Sequence, residues 1–171
     1  MAINNWPQCF ALVLKNEGGY VDNPADPGGA TNLGCTKAVW EQYIGRSVTK
    51  DDIKALTPND VMPLYKVKYW DTIKGDDLPE GVDYAVFDFA INSGPSRAAK
   101  ALQSVLSITV DGQIGPATLR ACEEANAREV ATRVCEARLA FLQSLSTYAT
   151  FGKGWSRRVS DVERLAFNMV G

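Results

Sequence analysis

Apolar residues recur at helical spacing along most of this chain. Phe10, Val13 and Leu14 share one face of a segment that Asn5 can cap and Pro7 can open. This predicts a helix from about Trp6 to Asn16 or Glu17, stopped by Gly18 and Gly19. Thr36 caps a segment carrying Val39, Trp40 and Tyr43 that ends at Gly45. Thr49 with Asp52 reads as a capping box, and Thr57-Pro58 with Asp60 opens a helix reaching about Trp70. In the second half, Val82 to Asn92 and Pro95 to Leu106 form two apolar segments broken at Gly94-Pro95, and a loop holding Gly112 and Gly115 leads to Pro116 through Cys122. Val130, Val134, Ala137, Phe141 and Leu145 mark a long helix; Trp155, Val159, Val162, Ala166 and Met169 mark a last one.

Only Tyr20 to Leu33 leaves room for extended pairing, so the fold class is mainly α with at most a small β-hairpin. There is no internal repeat and no low-complexity linker. The loop from Asp71 to Gly81 is the nearest thing to a boundary, which predicts one integrated body with two lobes.

At 171 residues the chain is long enough for one domain to bury a proper core without covalent staples. A formal charge of −2 supplies no cationic field for nucleic acid, so nucleic acid is excluded as a partner class. No stretch approaches transmembrane length, which predicts no stable membrane insertion. The first residues lack a basic region followed by an apolar core and cleavage site, so no signal peptide is expected. Cys9, Cys35, Cys122 and Cys135 show no C-x-x-C spacing, which leaves free thiols as the default reading. No metal or other cofactor is implied.

The chemistry concentrates in one stretch, Glu17-Gly-Gly-Tyr-Val-Asp-Asn-Pro-Ala-Asp26-Pro-Gly-Gly-Ala-Thr31-Asn-Leu-Gly34. Glu17 stands in the last turn of the first helix, where the negative end of the dipole favours a carboxyl that keeps its proton, as a general acid must. Asp26 follows in a loop too rich in Gly and Pro for a helix, among polar neighbours that favour the ionised form. Glycoside hydrolysis uses such a pair, one carboxyl protonating the leaving oxygen while the other activates water or attacks the sugar. Thr31 is suited to hold or steer that water. The chain contains no His, which removes Ser-His-Asp and Cys-His nucleophiles and any His-containing metal site. Taken singly, a Glu before Gly-Gly is also an ordinary exposed helix end, and Asp-Pro-Gly-Gly an ordinary turn. Asp22 lies on the same loop and rivals Asp26 as the second carboxylate.

The run from Glu17 to Thr36 resembles the signature of glycoside hydrolase family 108, lysozyme-like N-acetylmuramidases with a Glu-Gly-Gly-Tyr segment followed by Asp-Pro-Gly-Gly, a Thr and a Gly. Eight residues separate Glu17 from Asp26 and four separate Asp26 from Thr31, a spacing similar to the Glu, Asp and Thr triad of phage-type lysozymes. The resemblance continues through Val86 to Gln103, through Asp111-Gly-Gln-Ile-Gly-Pro-Ala-Thr118, similar to a peptidoglycan-binding half, and through Gly154-Trp155-Ser-Arg-Arg158-Val. Cys35 departs from it, standing where an aliphatic residue is usual, and reads as a small hydrophobe in packing.

The resemblance implies a lysozyme-like two-lobed helical fold in one domain, with 1–75 as the catalytic lobe and 76–171 as a helical lobe resembling a peptidoglycan-binding half. It implies catalytic Glu17, Asp26 and Thr31, and cleavage of peptidoglycan glycan strands between N-acetylmuramic acid and N-acetylglucosamine with a preference for inversion; a monomer is the default for an enzyme of this size. The phage endolysin role implies delivery to the wall through a holin or another route.

Glycan recognition favours aromatic faces and amides, which makes Tyr20, Tyr69, Trp70 and Asn92 candidates for substrate binding. Tyr69 and Trp70 read first as core aromatics, and Asn92 as a helix C-cap to which the resemblance adds a substrate role. Lys153, Arg157, Arg158 and Arg164 form a basic cluster, read as the solvated face of a docked helix or as an approach to an anionic surface. Two rival functions stand beside the muramidase. A lytic transglycosylase would need Glu17 alone, and a non-catalytic peptidoglycan-binding module would need neither carboxylate.

Overall fold

The computed structural model describes residues 5–22 and 29–170. Its helices are α1 (Trp6–Glu17), α2 (Lys37–Ile44), α3 (Lys50–Lys54), α4 (Pro58–Tyr65), α5 (Val82–Ser93), α6 (Pro95–Val105), α7 (Pro116–Glu124), α8 (Ala127–Gln143) and α9 (Tyr148–Met169). Its strands are β1 (Val21–Asp22), β2 (Ala30–Asn32) and β3 (Cys35–Thr36). The fold is mainly α with a small sheet, as the patterning predicts. The chain divides into two compact units, Phe10–Lys68 and Met1–Cys9 with Tyr69–Gly171.

In the unit Phe10–Lys68 the sheet is antiparallel in the order β1-β2-β3, with Val21 opposite Thr31 and Thr31 opposite Thr36. The hairpin expected from Tyr20 to Leu33 thus gains a third strand. Leu33 and Gly34 connect β2 to β3, both with positive φ (54° and 75°), the tight I′ arrangement that matches strand twist. Helix starts follow their caps. Thr36 accepts from Val39 N at 3.2 Å, and Thr49–Asp52 and Thr57–Asp60 both close capping boxes. Ala30, Val48 and Ile53 form the buried cluster under the sheet, flanked by Tyr20, Trp40, Ile44 and Leu56. Asn32 is buried with them, and its Nδ2 lies 3.0–3.2 Å from the carbonyl oxygens of Ile53, Lys54 and Leu56. Its two N–H groups are thus shared among carbonyls at and just beyond the end of α3.

The helix expected to run to Trp70 changes character before it gets there. Pro63 lies inside α4 and offers no N–H to the ladder, and from Lys66 to Trp70 the backbone widens into π-helical turns.

The other unit is organised around α5. From Gly81 to Ala90 every residue is buried, because this helix is apolar on nearly all sides and α6, α8 and α9 pack on it. Trp6, Trp70 and Phe87 form an aromatic cluster with centroids 5.3–5.5 Å apart. Gly75 fits beneath Trp70, where a Cβ would stand 2.4 Å from the indole ring. α9 begins seven residues before the expected Trp155, at Tyr148. Gly152 and Gly154 do not break it. The Tyr148 ring lies over Gly152, where a Cβ would come within 2.8 Å of the ring, and the Tyr148 hydroxyl is 2.9 Å from Ser156 Oγ.

The Asp111-to-Thr118 stretch is clamped from within. Gln103 is buried and donates to Asp111 Oδ1, Gln113 O and Thr118 Oγ1, while its own oxygen accepts from Asp111 N and Gly112 N. The polar groups of that motif hold its own loop in shape. The basic cluster on α9 is also divided. Arg158 turns inward to Asp88, whereas Arg164 stays exposed with Asp161 at 3.8 Å.

Candidate active site

Glu17 is the last residue of α1 and is half-buried. Its carboxylate rests on the β2–β3 turn. A Cβ at Gly34 would lie 2.6 Å from Glu17 Oε2, 3.0 Å from Glu17 Cβ and 2.6 Å from the Tyr65 hydroxyl. Two requirements therefore meet at position 34, a positive φ and a bare backbone for the acid and the phenol to approach. Tyr65 is buried in α4, packs at a tilt against Phe10 with ring centroids 5.7 Å apart and donates to Leu33 O at 2.7 Å. The tyrosine ties the turn to α4, and the turn forms the surface on which the carboxyl lies.

Thr31 occupies the middle of β2. Ala30 and Asn32 are buried on either side of it, so strand alternation sends the Thr31 side chain to the opposite, half-exposed face. Tyr20 is half-buried against the Ala30–Ile53 cluster, with Lys54 Nζ 5.8 Å from its ring centroid. Asp22, the rival carboxylate, sits on β1 with Lys50 Nζ 3.2 Å from Oδ2. Asp26 lies outside the described residues. Glu17, Tyr20 and Thr31 thus belong to the unit Phe10–Lys68.

Tyr69, Trp70 and Asn92 belong to the other unit. Trp70 is fully buried, packs edge-on against Phe87 and donates Nε1–H to Asp76 Oδ1 at 2.9 Å. With no ring face open, Trp70 takes the core role of the two that its sequence position allows, and the expectation that it stacks on sugar is corrected. Tyr69 is half-buried in the π-helical turns. Asn92 is exposed near the C-terminus of α5, and its Oδ1 accepts from Arg138 Nη2 at 2.8 Å.

Behind Asn92 lies a charge cluster that patterning alone passes over. Asp88 is fully buried one turn earlier on α5. Arg138 Nη1 approaches its Oδ2 to 2.5 Å, while Arg158 Nη2 and Nε reach Oδ1 and Oδ2 at 3.0 and 3.2 Å. Burial alone would raise the Asp88 carboxyl, but the two guanidiniums outweigh it and hold the group below the ordinary carboxylate range. The available signal was an Arg at the apolar spacing Val130, Val134, Arg138, Leu142, all four of them buried.

All four cysteines are free and buried. Among the described residues, no helix is long and apolar enough to cross a membrane.

The family profile described as glycosyl hydrolase 108 matches residues 10–94, and one described as a predicted peptidoglycan domain matches residues 97–160. No curated protein matches the chain. The solved structure of Brucella abortus SagA is 47% identical, superposes with a TM-score of 0.88, and the match covers 97% of this chain and 95% of that one. The chain is therefore a member of the glycosyl hydrolase 108 family.

Proposed function

We propose that this protein is an N-acetylmuramidase, cleaving the β-1,4 bond between N-acetylmuramic acid and N-acetylglucosamine in peptidoglycan. The observation that carries the reading is the seat of Glu17, at a helix end against the Gly34 turn, inside the segment matched by the glycosyl hydrolase 108 profile. The peptidoglycan-domain match over residues 97–160 supports the choice of polymer.

Glu17 protonates the glycosidic oxygen as the oxocarbenium-like transition state develops. Asp26 stabilises that charge or serves as base for a water steered by Thr31, and inversion is the outcome expected of a base acting through water. Asp22 is the weaker choice for the second carboxylate because Lys50 already engages it. Tyr20 and Asn92 contribute to glycan binding. The enzyme acts as a monomer in one lysozyme-like domain and serves as a phage-type endolysin; co-expression with a holin tests that role by lysis of the host culture.

The deciding experiment is mass spectrometry of muropeptides released from purified peptidoglycan by the wild type, Glu17→Gln and Asp26→Asn. Reducing-end N-acetylmuramic acid from the wild type, abolished by Glu17→Gln and severely cut by Asp26→Asn, is the expected result. Anhydro ends with Asp26→Asn still active would replace the muramidase with a lytic transglycosylase. No release by any form would leave a binding module.

A further inference from the structure

The Asp88–Arg138–Arg158 cluster encloses two cations around one anion in the interior, an arrangement that contributes little stability over well-packed apolar residues. Its geometry does accomplish something specific. Asp88 and Asn92 are one helical turn apart on α5 and so share a face. Arg138, 1% exposed on α8, bridges them, giving Nη1 to the Asp88 carboxylate and Nη2 to Asn92 Oδ1 at 2.8 Å. Arg158 grips the other side of Asp88 with two nitrogens, so the carboxylate cannot swing away from Arg138.

A guanidinium only donates, so the Asn92 atom facing it must be the oxygen, and the assignment of the amide is not ambiguous. The carboxamide is planar. With Oδ1 engaged by Arg138, Nδ2 is the end of the amide left to meet a ligand, at an exposed position. An unrestrained surface Asn would present either end of its amide. This one presents donors.

We propose that Arg138 is a positioning residue for substrate recognition, fixing Asn92 so that its NH2 group donates to an acetamido carbonyl or hydroxyl oxygen of the glycan. The inference rests on the glycan-cleaving reading, and it adds to that reading which end of Asn92 faces the sugar and what enforces it. Arg138 itself touches no substrate.

The test measures binding of peptide-free glycan strands, prepared from purified peptidoglycan, to the full-length protein in the Glu17→Gln background, where strands stay intact. Asn92→Ala is expected to weaken binding about tenfold, the scale of one lost hydrogen bond. Arg138→Lys cannot span Asp88 and Asn92 with one ammonium and is expected to weaken binding by a similar factor when Asn92 is present. In the Asn92→Ala background it should add nothing, although it lowers the melting temperature in both. A purely structural Arg138 would weaken binding equally in the two backgrounds, and that result overturns the proposal. Asn92→Asp covers the case in which Arg138→Lys does not fold. It keeps an acceptor for Arg138 but turns an oxygen outward, so it must bind as poorly as Asn92→Ala; wild-type binding by either Asn92 variant, or no strand binding by the parent, also overturns the proposal. Cleavage by the protein with Glu17 intact is scored separately, so loss of the muramidase reading is told apart from loss of this one.

Discussion

Glu17 and Gly34 are in contact across the β2–β3 turn, so close that a methyl group at 34 would stand 2.6 Å from the Glu17 carboxylate. The backbone of Gly34 also lies in the left-handed region, at φ 75°, where an L side chain costs about 1–2 kcal/mol. Gly34→Ala must also move the buried Tyr65 hydroxyl, 2.6 Å from the new methyl group, so it should lower stability as well as displace the Glu17 carboxyl. A shift of about 1 Å in a catalytic group is worth about 100-fold in rate. Turnover of purified peptidoglycan by Gly34→Ala, with folding checked by circular dichroism, should fall by about that factor. Activity within twofold of wild type would show that Glu17 does not depend on this seat.

Asp83 gives the unit around α5 a pH-dependent element. Burial pushes its carboxyl up to about 6, against the opposing hydrogen bonds from Asn5 Nδ2, Tyr84 N and Gly81 N, and Glu80 pushes it further. In the unfolded chain the group titrates near 3.9. The folded state thus binds the proton more tightly, so this contribution is fully present below about pH 4 and is lost as pH rises through 6. The total is about 3 kcal/mol. Asn at 83 stays neutral at every pH and keeps a carbonyl acceptor. Urea unfolding of wild type and Asp83→Asn should give a stability difference that shifts in favour of Asn between pH 4 and 6 and is flat above 7. A difference independent of pH would mean that Asp83 is not the group responsible.

How much of this was legible in the sequence depends on the range of the interaction. Caps at Thr36, Thr49 and Thr57 and the stop at Gly45 were legible because a cap is a local bargain between a side chain and a backbone group three residues away. The Glu17-to-Gly34 stretch was legible as a constellation, and its Gly34 was visible as part of a motif. That this glycine clears space for Glu17 and Tyr65 was not visible, since Tyr65 arrives from α4, 31 positions later in the chain. The π-helical turns leave no mark in the pattern, because a period of 3.6 cannot register one extra residue per turn. The early start of α9 is hidden in the sequence, because glycine at 152 and 154 disfavours helix and the Tyr148 ring that covers Gly152 shows only in the fold. Asp88 and Arg138 lie 50 residues apart, and only the oddity of an Arg on an apolar stripe hints that they meet.

The cysteines should be chemically silent in the folded protein. Burial pushes the Cys35 thiol up to about 11 against the opposing charge of Lys68, and Cys122 and Cys135 up to about 12. Burial, with Asp83 and Glu80 nearby, drives Cys9 in the same direction. Thiolate is the reactive form, and all four sulfurs are also out of solvent. A chromogenic disulfide reagent at pH 8 should titrate essentially no thiol in the native protein and four in denaturant. Rapid native labelling of any one would contradict the packing around it.

Asn32 is the polar residue on which the sheet's attachment to α3 depends. Its amide faces three carbonyl oxygens at the end of that helix, from Ile53, Lys54 and Leu56, and its neighbours Ala30 and Ile53 are fully buried. Removing the amide strands buried acceptors, which costs about 1–3 kcal/mol. In a domain of this size that lowers the melting temperature by about 2–4 °C per kcal/mol. Asn32→Ala should therefore melt several degrees below wild type. Asn32→Asp discriminates between packing and hydrogen bonding, because it keeps the shape but sets a carboxylate against three carbonyls. If the amide donors are what matter, Asp must be worse than Ala despite its closer fit; an Asp variant as stable as wild type would place the stabilisation in packing alone. Because Asn32 directly follows Thr31 on β2, either variant should also lower the rate of peptidoglycan cleavage if Thr31 positions the water.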